Sequence, residues 1–155
     1  MGRPDEDPHE LALRALSYKE RTEAELRAWL AEREVAEVEI EEVIALLMKA
    51  GAINDASFAH HYAEDKRNLA GWGPDRISRA LESRGVPRGH IEAALEGEDP
   101  EMQLERAVTL LGERGLACDS ERERERALGL LVRRGYSLEL AYEAVRKVGR
   151  FADAA

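Results

Sequence analysis

Residues 81–95 read LESRGVPRGHIEAAL, and the chain carries the same pattern twice more, at 30–44 (LAEREVAEVEIEEVI) and at 131–145 (LVRRGYSLELAYEAV). Leu30, Leu81 and Leu131 coincide, as do Arg33, Arg84 and Arg134, at offsets of 51 and 50 residues without an internal gap. Val35, Val86 and Tyr136 share the apolar position after the turn. Extended backwards, Leu26, Ile77 and Ala127 align, then Trp29, Ala80 and Leu130. Spacing of i, i+3, i+4 is one face of a helix. Beyond the turn, Ile40, Val43, Ile44 and Leu47 in one copy match Ala141, Ala144, Val145 and Val148 in another, again at helical spacing. Each copy therefore predicts helix, Arg-Gly turn, helix. Gly85 and Gly135 occupy the position just past a helix end where the backbone turns left-handed. The first copy has Glu34 there, so its turn has to close differently or under strain.

A further helix precedes each pair, over 11–18, 55–69 and 100–114. Asp55 and Asp99 are candidate N-caps, Pro100 stands at a first helical position, and Thr22-x-x-Glu25 and Ser120-x-x-Glu123 read as capping boxes. The pattern predicts an all-α fold of nine helices in three tandem three-helix repeats of about 50 residues, elongated or curved. The expected boundaries are 1–10 frayed N-terminus, 11–51 repeat 1, 52–97 repeat 2, 98–150 repeat 3 and 151–155 tail. Short three-helix units are marginal alone and gain by sharing cores with neighbours.

Composition agrees. Of 155 residues, 44% are hydrophobic, 35% charged and only 5% aromatic. Ala, Leu, Glu and Arg lose little on entering a helix, whereas an all-β chain would need more Val, Ile, Thr and aromatics. No apolar run approaches the roughly 20 residues that cross a bilayer. The start, MGRPDEDPHE, lacks the character of a secretory signal, and a single cysteine, Cys118, forbids an intrachain disulfide. A cytoplasmic protein without membrane association is the expectation.

Nothing in the chain assembles into a catalytic constellation. GxSxG, GxxxxGK[ST] and HExxH are all absent. His60 and His61 are adjacent, so on a helix they point about 100° apart and do not chelate as an i, i+4 pair would. Cys118 has no histidine near it in sequence and reads as a free thiol. Gly71-Trp72-Gly73-Pro74 lacks the strand and the Lys-Ser/Thr of a phosphate loop, and reads as a turn into a helix opened by Pro74. Trp29 reads as core. Trp72 is either a partner anchor or a cap over a core, the latter favoured. No catalytic residue, no metal ligand set and no cofactor is expected.

Net charge is −9, distributed as −6 over residues 1–51, −1 over 52–97 and −2 over 98–155. A protein that grips DNA by itself presents a positive surplus, so the balance favours a protein partner. Within it, Lys66, Arg67, Arg76, Arg79, Arg84, Arg133 and Arg134 form a candidate basic strip for partner binding. The competing reading is electrostatic: cations near helix C-termini favour the dipole. Arg122-Glu-Arg-Glu-Arg126 alternates in sign like an exposed face laced by ion pairs.

The residues resemble one known family. The carrying motifs are Ala12-Leu13-x-x-Leu16 and Arg21-Thr22-x-x-Glu25-Leu26, then Asn54-Asp55-x-x-Phe58-Ala59-x-x-Tyr62, Arg67, and Gly71-x-Gly73-Pro74-x-x-Ile77-x-x-x-Leu81-x-x-x-Gly85-Val86, and finally Leu131-x-x-Arg134-Gly135-Tyr136-Ser137. Over residues 11–148 the chain resembles RecX, the bacterial regulatory family of the RecA recombinase. The resemblance implies tandem three-helix units. It also implies a non-catalytic inhibitor that binds RecA, or its filament on single-stranded DNA, and limits recombinase, ATPase and coprotease activity by capping growth or lying in the filament groove. Direct DNA contact would be secondary. Glu34 departs from the repeat and would let the first unit dock at a different angle. A helix-turn-helix-repeat DNA-binding protein, or a helical scaffold with another partner, remain the alternatives.

Overall fold

The computed structural model describes the backbone of residues 6–153 and the side chains of residues 6–150. Among them are nine α-helices and no strand: α1 Pro8–Tyr18, α2 Glu23–Glu32, α3 Glu37–Lys49, α4 Asp55–Ala70, α5 Pro74–Ser83, α6 Arg88–Leu95, α7 Pro100–Glu113, α8 Glu121–Arg133 and α9 Leu138–Asp153. Helix α1 starts three residues before Leu11, because Asp7 accepts the His9 amide and Pro8 needs no partner for its nitrogen. That much of the segment 1–10, read as frayed, is helical; residues 1–5 lie outside the described part. At the other end α9 continues to Asp153, into the stretch read as a tail. Asp99 caps α7 as expected. Ser120 caps α8 by accepting the Glu123 amide, but among the described residues the reciprocal bond from the Ser120 amide to the Glu123 carboxylate that would complete a capping box is not formed.

Asp55 does not cap its own helix. Asn54 does, its Oδ1 accepting the Ser57 amide at 3.0 Å. The buried Asp55 carboxylate instead accepts the Glu23 amide at 2.9 Å, serving the start of α2. Thr22 completes that end. Its Oγ1 accepts from the Glu25 amide, the Glu25 carboxylate accepts from the Thr22 amide, and the fully buried hydroxyl donates to the Arg84 carbonyl at 2.7 Å.

The chain divides into two compact units, residues 1–60 with 81–93, and residues 61–80 with 94–155. In the first, Leu11, Leu26, Leu30, Ile40, Ile44 and Leu47 form the centre of an apolar core. In the second, Leu111, Leu131, Tyr136, Ala141 and Val145 do the same, with Cys118 enclosed among them. Each Leu or Ile so enclosed contributes about 1.5–3 kcal/mol. Positions paired by the sequence alignment share burial. Leu26 and Leu30, Ile77 and Leu81, and Ala127 and Leu131 are all fully enclosed, while Trp29, Ala80 and Leu130 are half-buried.

The aligned turns close identically. Val35, Val86 and Tyr136 donate to Leu30, Leu81 and Leu131, and Glu34, Gly85 and Gly135 donate to Ala31, Glu82 and Val132. This is a Schellman closure with a left-handed residue in the middle. Glu34 takes that conformation at φ 62°, beside 78° for Gly85 and 98° for Gly135. The first copy thus closes as the others do and bears the strain, about 1–2 kcal/mol for a residue with a Cβ.

What glycine provides at the other two positions is close approach. Within the first unit, the Arg84-Gly85 turn sits on the start of α2, and a Cβ on Gly85 would fall 2.5 Å from Ala24 Cβ. Within the second, the Arg134-Gly135 turn sits on the start of α5: Gly73 donates to the Arg134 carbonyl at 2.7 Å and Asp75 to the Gly135 carbonyl at 3.0 Å. A Cβ on Gly135 would fall 2.4 Å from Arg76 N, and one on Gly73 2.6 Å from Gly135 C. The turn carbonyls thereby satisfy amides that a helix start leaves without partners. Glu34 is exposed, so its side chain has room at that turn.

Candidate functional site

In the second unit, the end of α4, the turn into α5, α7 and the α8–α9 turn enclose a cleft of about 650 Å³. Five guanidinium groups line it, Arg67, Arg76, Arg106, Arg114 and Arg134, against one carboxylate, Glu113. Trp72 forms part of its wall, with Leu69 and Leu110 as apolar lining. Leu69 is 85% exposed.

Each arginine is held differently. Arg67 and Arg106 converge on Glu98, with Arg67 Nε at 2.7 Å and Arg106 Nη2 at 2.9 Å from its Oε1. The Glu98 side chain is only 5% exposed, and neither of its oxygens meets hydrogen-bond geometry, so the contact is chiefly electrostatic. Burying a carboxylate is expensive unless cations accompany it; two do. Arg67 also donates to the Ala94 carbonyl at 2.7 Å. Arg134 donates to the Ala70 carbonyl at 2.7 Å. The Tyr136 hydroxyl donates to the Gly71 carbonyl at 2.9 Å, and burial pushes its pKa up, keeping it a donor. Together these bonds fix the α4–α5 turn. Arg76 lies 4.1 Å from the Trp72 ring centroid and donates to the Arg133 carbonyl. Lys66 Nζ lies 4.7 Å from the same ring and 5.4 Å from that of Tyr62. Arg114 is exposed at the end of α7.

Of the seven residues read as a basic strip, the cleft therefore gathers Arg67, Arg76 and Arg134, with Lys66 bound behind Trp72. Arg79 is exposed and donates to the Asp75 carbonyl of its own helix. Arg133 lines a separate hollow of about 310 Å³ with Arg114, Glu125 and Arg126. Arg84 belongs to the first unit. It pairs with Glu25 through Nε at 3.1 Å and Nη2 at 2.9 Å, reaches the Glu20 carbonyl at 3.4 Å, and stacks 4.5 Å from the Phe58 ring centroid.

The recurrence of arginine at the turns now has a physical meaning that the sequence did not show. Arg84 and Arg134 both reach back to a carbonyl just before the helix start on which their turn sits, Glu20 for one and Ala70 for the other. Among the described residues Arg33 has no such acceptor. It folds onto Trp29 instead, 3.4 Å from the ring centroid, donating to the Trp29 carbonyl. Arg106, Arg114 and Leu69 were missed because no periodicity links the end of α4 to α7. Trp72 is half-buried in the cleft wall, edge-on to Tyr62 with centroids 6.4 Å apart, rather than closed over a core. Among the described residues no group of three or more His, Cys, Asp or Glu could hold a metal ion, and no helix is long and apolar enough to cross a membrane.

The fold is thus that of an all-α protein assembled from three-helix elements. Residues 9–47 match the family model of the first three-helix domain of RecX, and residues 54–95 that of the second. Over 111 residues the chain is 38% identical to the regulatory protein RecX of Deinococcus radiodurans, covering 72% of this chain and 52% of that protein. Over 102 residues it is 36% identical to its counterpart in Lactococcus lactis, covering 64% and 38%. The crystal structure of RecX from Lactobacillus salivarius matches with a TM-score of 0.82 at 27% identity, over 92% of this chain and 94% of that one. The chain belongs to the RecX family. It spans about half or less of the length of these two curated relatives.

Proposed function

We propose that this chain restrains the RecA recombinase, binding RecA or its filament on single-stranded DNA and limiting recombinase, ATPase and coprotease activity without chemistry of its own. What carries the reading is the match of two successive stretches to the two RecX three-helix domains, among relatives that bear the name of regulatory proteins. The same reading takes residues 11–51, 52–97 and 98–150 as three repeats of one unit, which the shared turn closure at Glu34, Gly85 and Gly135 supports. It places the protein in the cytoplasm, where RecA works. DNA contact is secondary, since a chain of net charge −9 gains little from the counterion release that drives binding to a polyanion.

The experiment is RecA-dependent ATP hydrolysis on single-stranded DNA with increasing amounts of this protein. Sub-stoichiometric protein should slow hydrolysis, and a metal chelator acting on this protein alone, before the assay, should not change that. Unaltered hydrolysis at equimolar protein overturns the proposal.

A further inference from the structure

We propose that the arginine-lined cleft of the second unit binds an acidic peptide segment carrying an apolar side chain. This deepens the reading of the chain as a protein-binding regulator and rests on it. Three observations lead there. The cleft concentrates five guanidinium groups against Glu113 in a chain that is acidic overall, so it is a local reversal of sign. Guanidinium forks match carboxylates in a planar, two-point geometry. Glu98 already shows the chemistry from within: it occupies Arg67 and Arg106 from behind, while Arg76, Arg114 and Arg134 pair with no carboxylate among the described residues.

Leu69, at 85% exposure, is the second observation. It lines the cleft beside Leu110 and offers an apolar contact that a bare phosphate backbone would not use. At the edge of the charged cleft it is placed to cover an apolar side chain of a bound segment.

Trp72 is the third. Single-stranded nucleic acid is gripped by stacking bases on open aromatic faces above a basic track. The Trp72 ring already carries Arg76 at 4.1 Å and Lys66 at 4.7 Å, with the Tyr62 ring against it. The ring is thus already engaged with two cations, an arrangement that serves carboxylates better than a stacked base.

The test uses the isolated full chain and nuclear magnetic resonance. The probe is the capped peptide Glu-Asp-Leu-Glu-Glu-Phe-Glu-Asp, compared with its Gln/Asn counterpart, with a version having Ser for Leu and Phe, and with oligothymidylate. The acidic peptide should shift the Trp72 indole N–H and the amides of Leu69 and Arg114 saturably, and both altered peptides should bind at least about tenfold more weakly. Arg114→Glu and Leu69→Ser lie on exposed positions, leave the fold intact, and should each weaken binding about tenfold. No shift up to about 1 mM peptide, or a shift that ignores both substitutions, overturns the inference. Tighter binding of oligothymidylate with the same shifts overturns it in favour of a nucleic-acid site. RecA-dependent ATP hydrolysis is read separately. Inhibition by a protein that ignores the peptide keeps the regulatory reading and discards this one.

Discussion

Gly135 and Arg76 are in backbone contact: a Cβ on Gly135 would lie 2.4 Å from Arg76 N, while the Gly135 carbonyl accepts the neighbouring Asp75 amide at 3.0 Å. The glycine is needed both for its φ of 98° and for this approach. Gly135→Ala should therefore cost about 2–4 kcal/mol, the left-handed penalty plus an overpacking shift. Gly115→Ala is the control, at φ 67° with nothing within 4 Å of the added atom, and should cost only about 1 kcal/mol. Urea unfolding of the two variants checks it. Equal costs would mean that the turn does not sit on the start of α5 as described.

Glu34 carries the same left-handed backbone conformation at an exposed position. Glu34→Gly should raise stability by about 0.5–1 kcal/mol, since relief of the left-handed strain outweighs the added freedom of the unfolded chain. A fall in melting temperature would contradict this.

Glu25 couples the capping box of α2 to Arg84. Burial, the largest single influence, would push its pKa up; the Thr22 amide and the Arg84 guanidinium together outweigh it and hold the carboxyl below its usual 4.5. A carboxyl lowered by folding contributes stability at pH above 4.5 that is lost as pH falls through the folded value. Wild type should lose part of its stability in that acid range. Glu25→Gln should be less stable near neutrality and show a flatter acid limb in pH-dependent urea titrations. Parallel acid limbs would dismiss the coupling.

Glu98 stands between Arg67 and Arg106 with its side chain 5% exposed. Removing it leaves two partly buried cations facing each other, so Glu98→Ala should cost about 3 kcal/mol. Replacing both arginines and Glu98 together by apolar residues should cost less than the single change, because no charge is then left unmatched. Chemical denaturation of the single and triple variants decides between them.

Cys118 is fully buried, and desolvation pushes its thiol pKa up. Thiolate is the reactive form, so a disulfide reagent should modify native protein orders of magnitude more slowly than protein in urea. Equal rates would place the thiol outside the core.

The sequence by itself determined the helices and their repetition. Apolar spacing at Leu26, Trp29 and Leu30 and its echoes, Pro at helix starts, and Gly at helix ends are local signals, readable because a helix satisfies its backbone within a few residues. It also located Trp72, Arg67, Arg76 and Arg134, though not what they do. The tertiary structure alone decided that Asp55 serves α2 rather than its own helix, that Arg84 and Arg134 clasp carbonyls more than 60 residues away in sequence, and that α7 brings Arg106 and Arg114 to the cleft. The period of the arginines marks the turns but not the acceptor that each one reaches. A side chain's hydrogen-bond partner is chosen by whichever unsatisfied backbone group folding brings within about 3 Å of it, and that is settled only once the helices have packed.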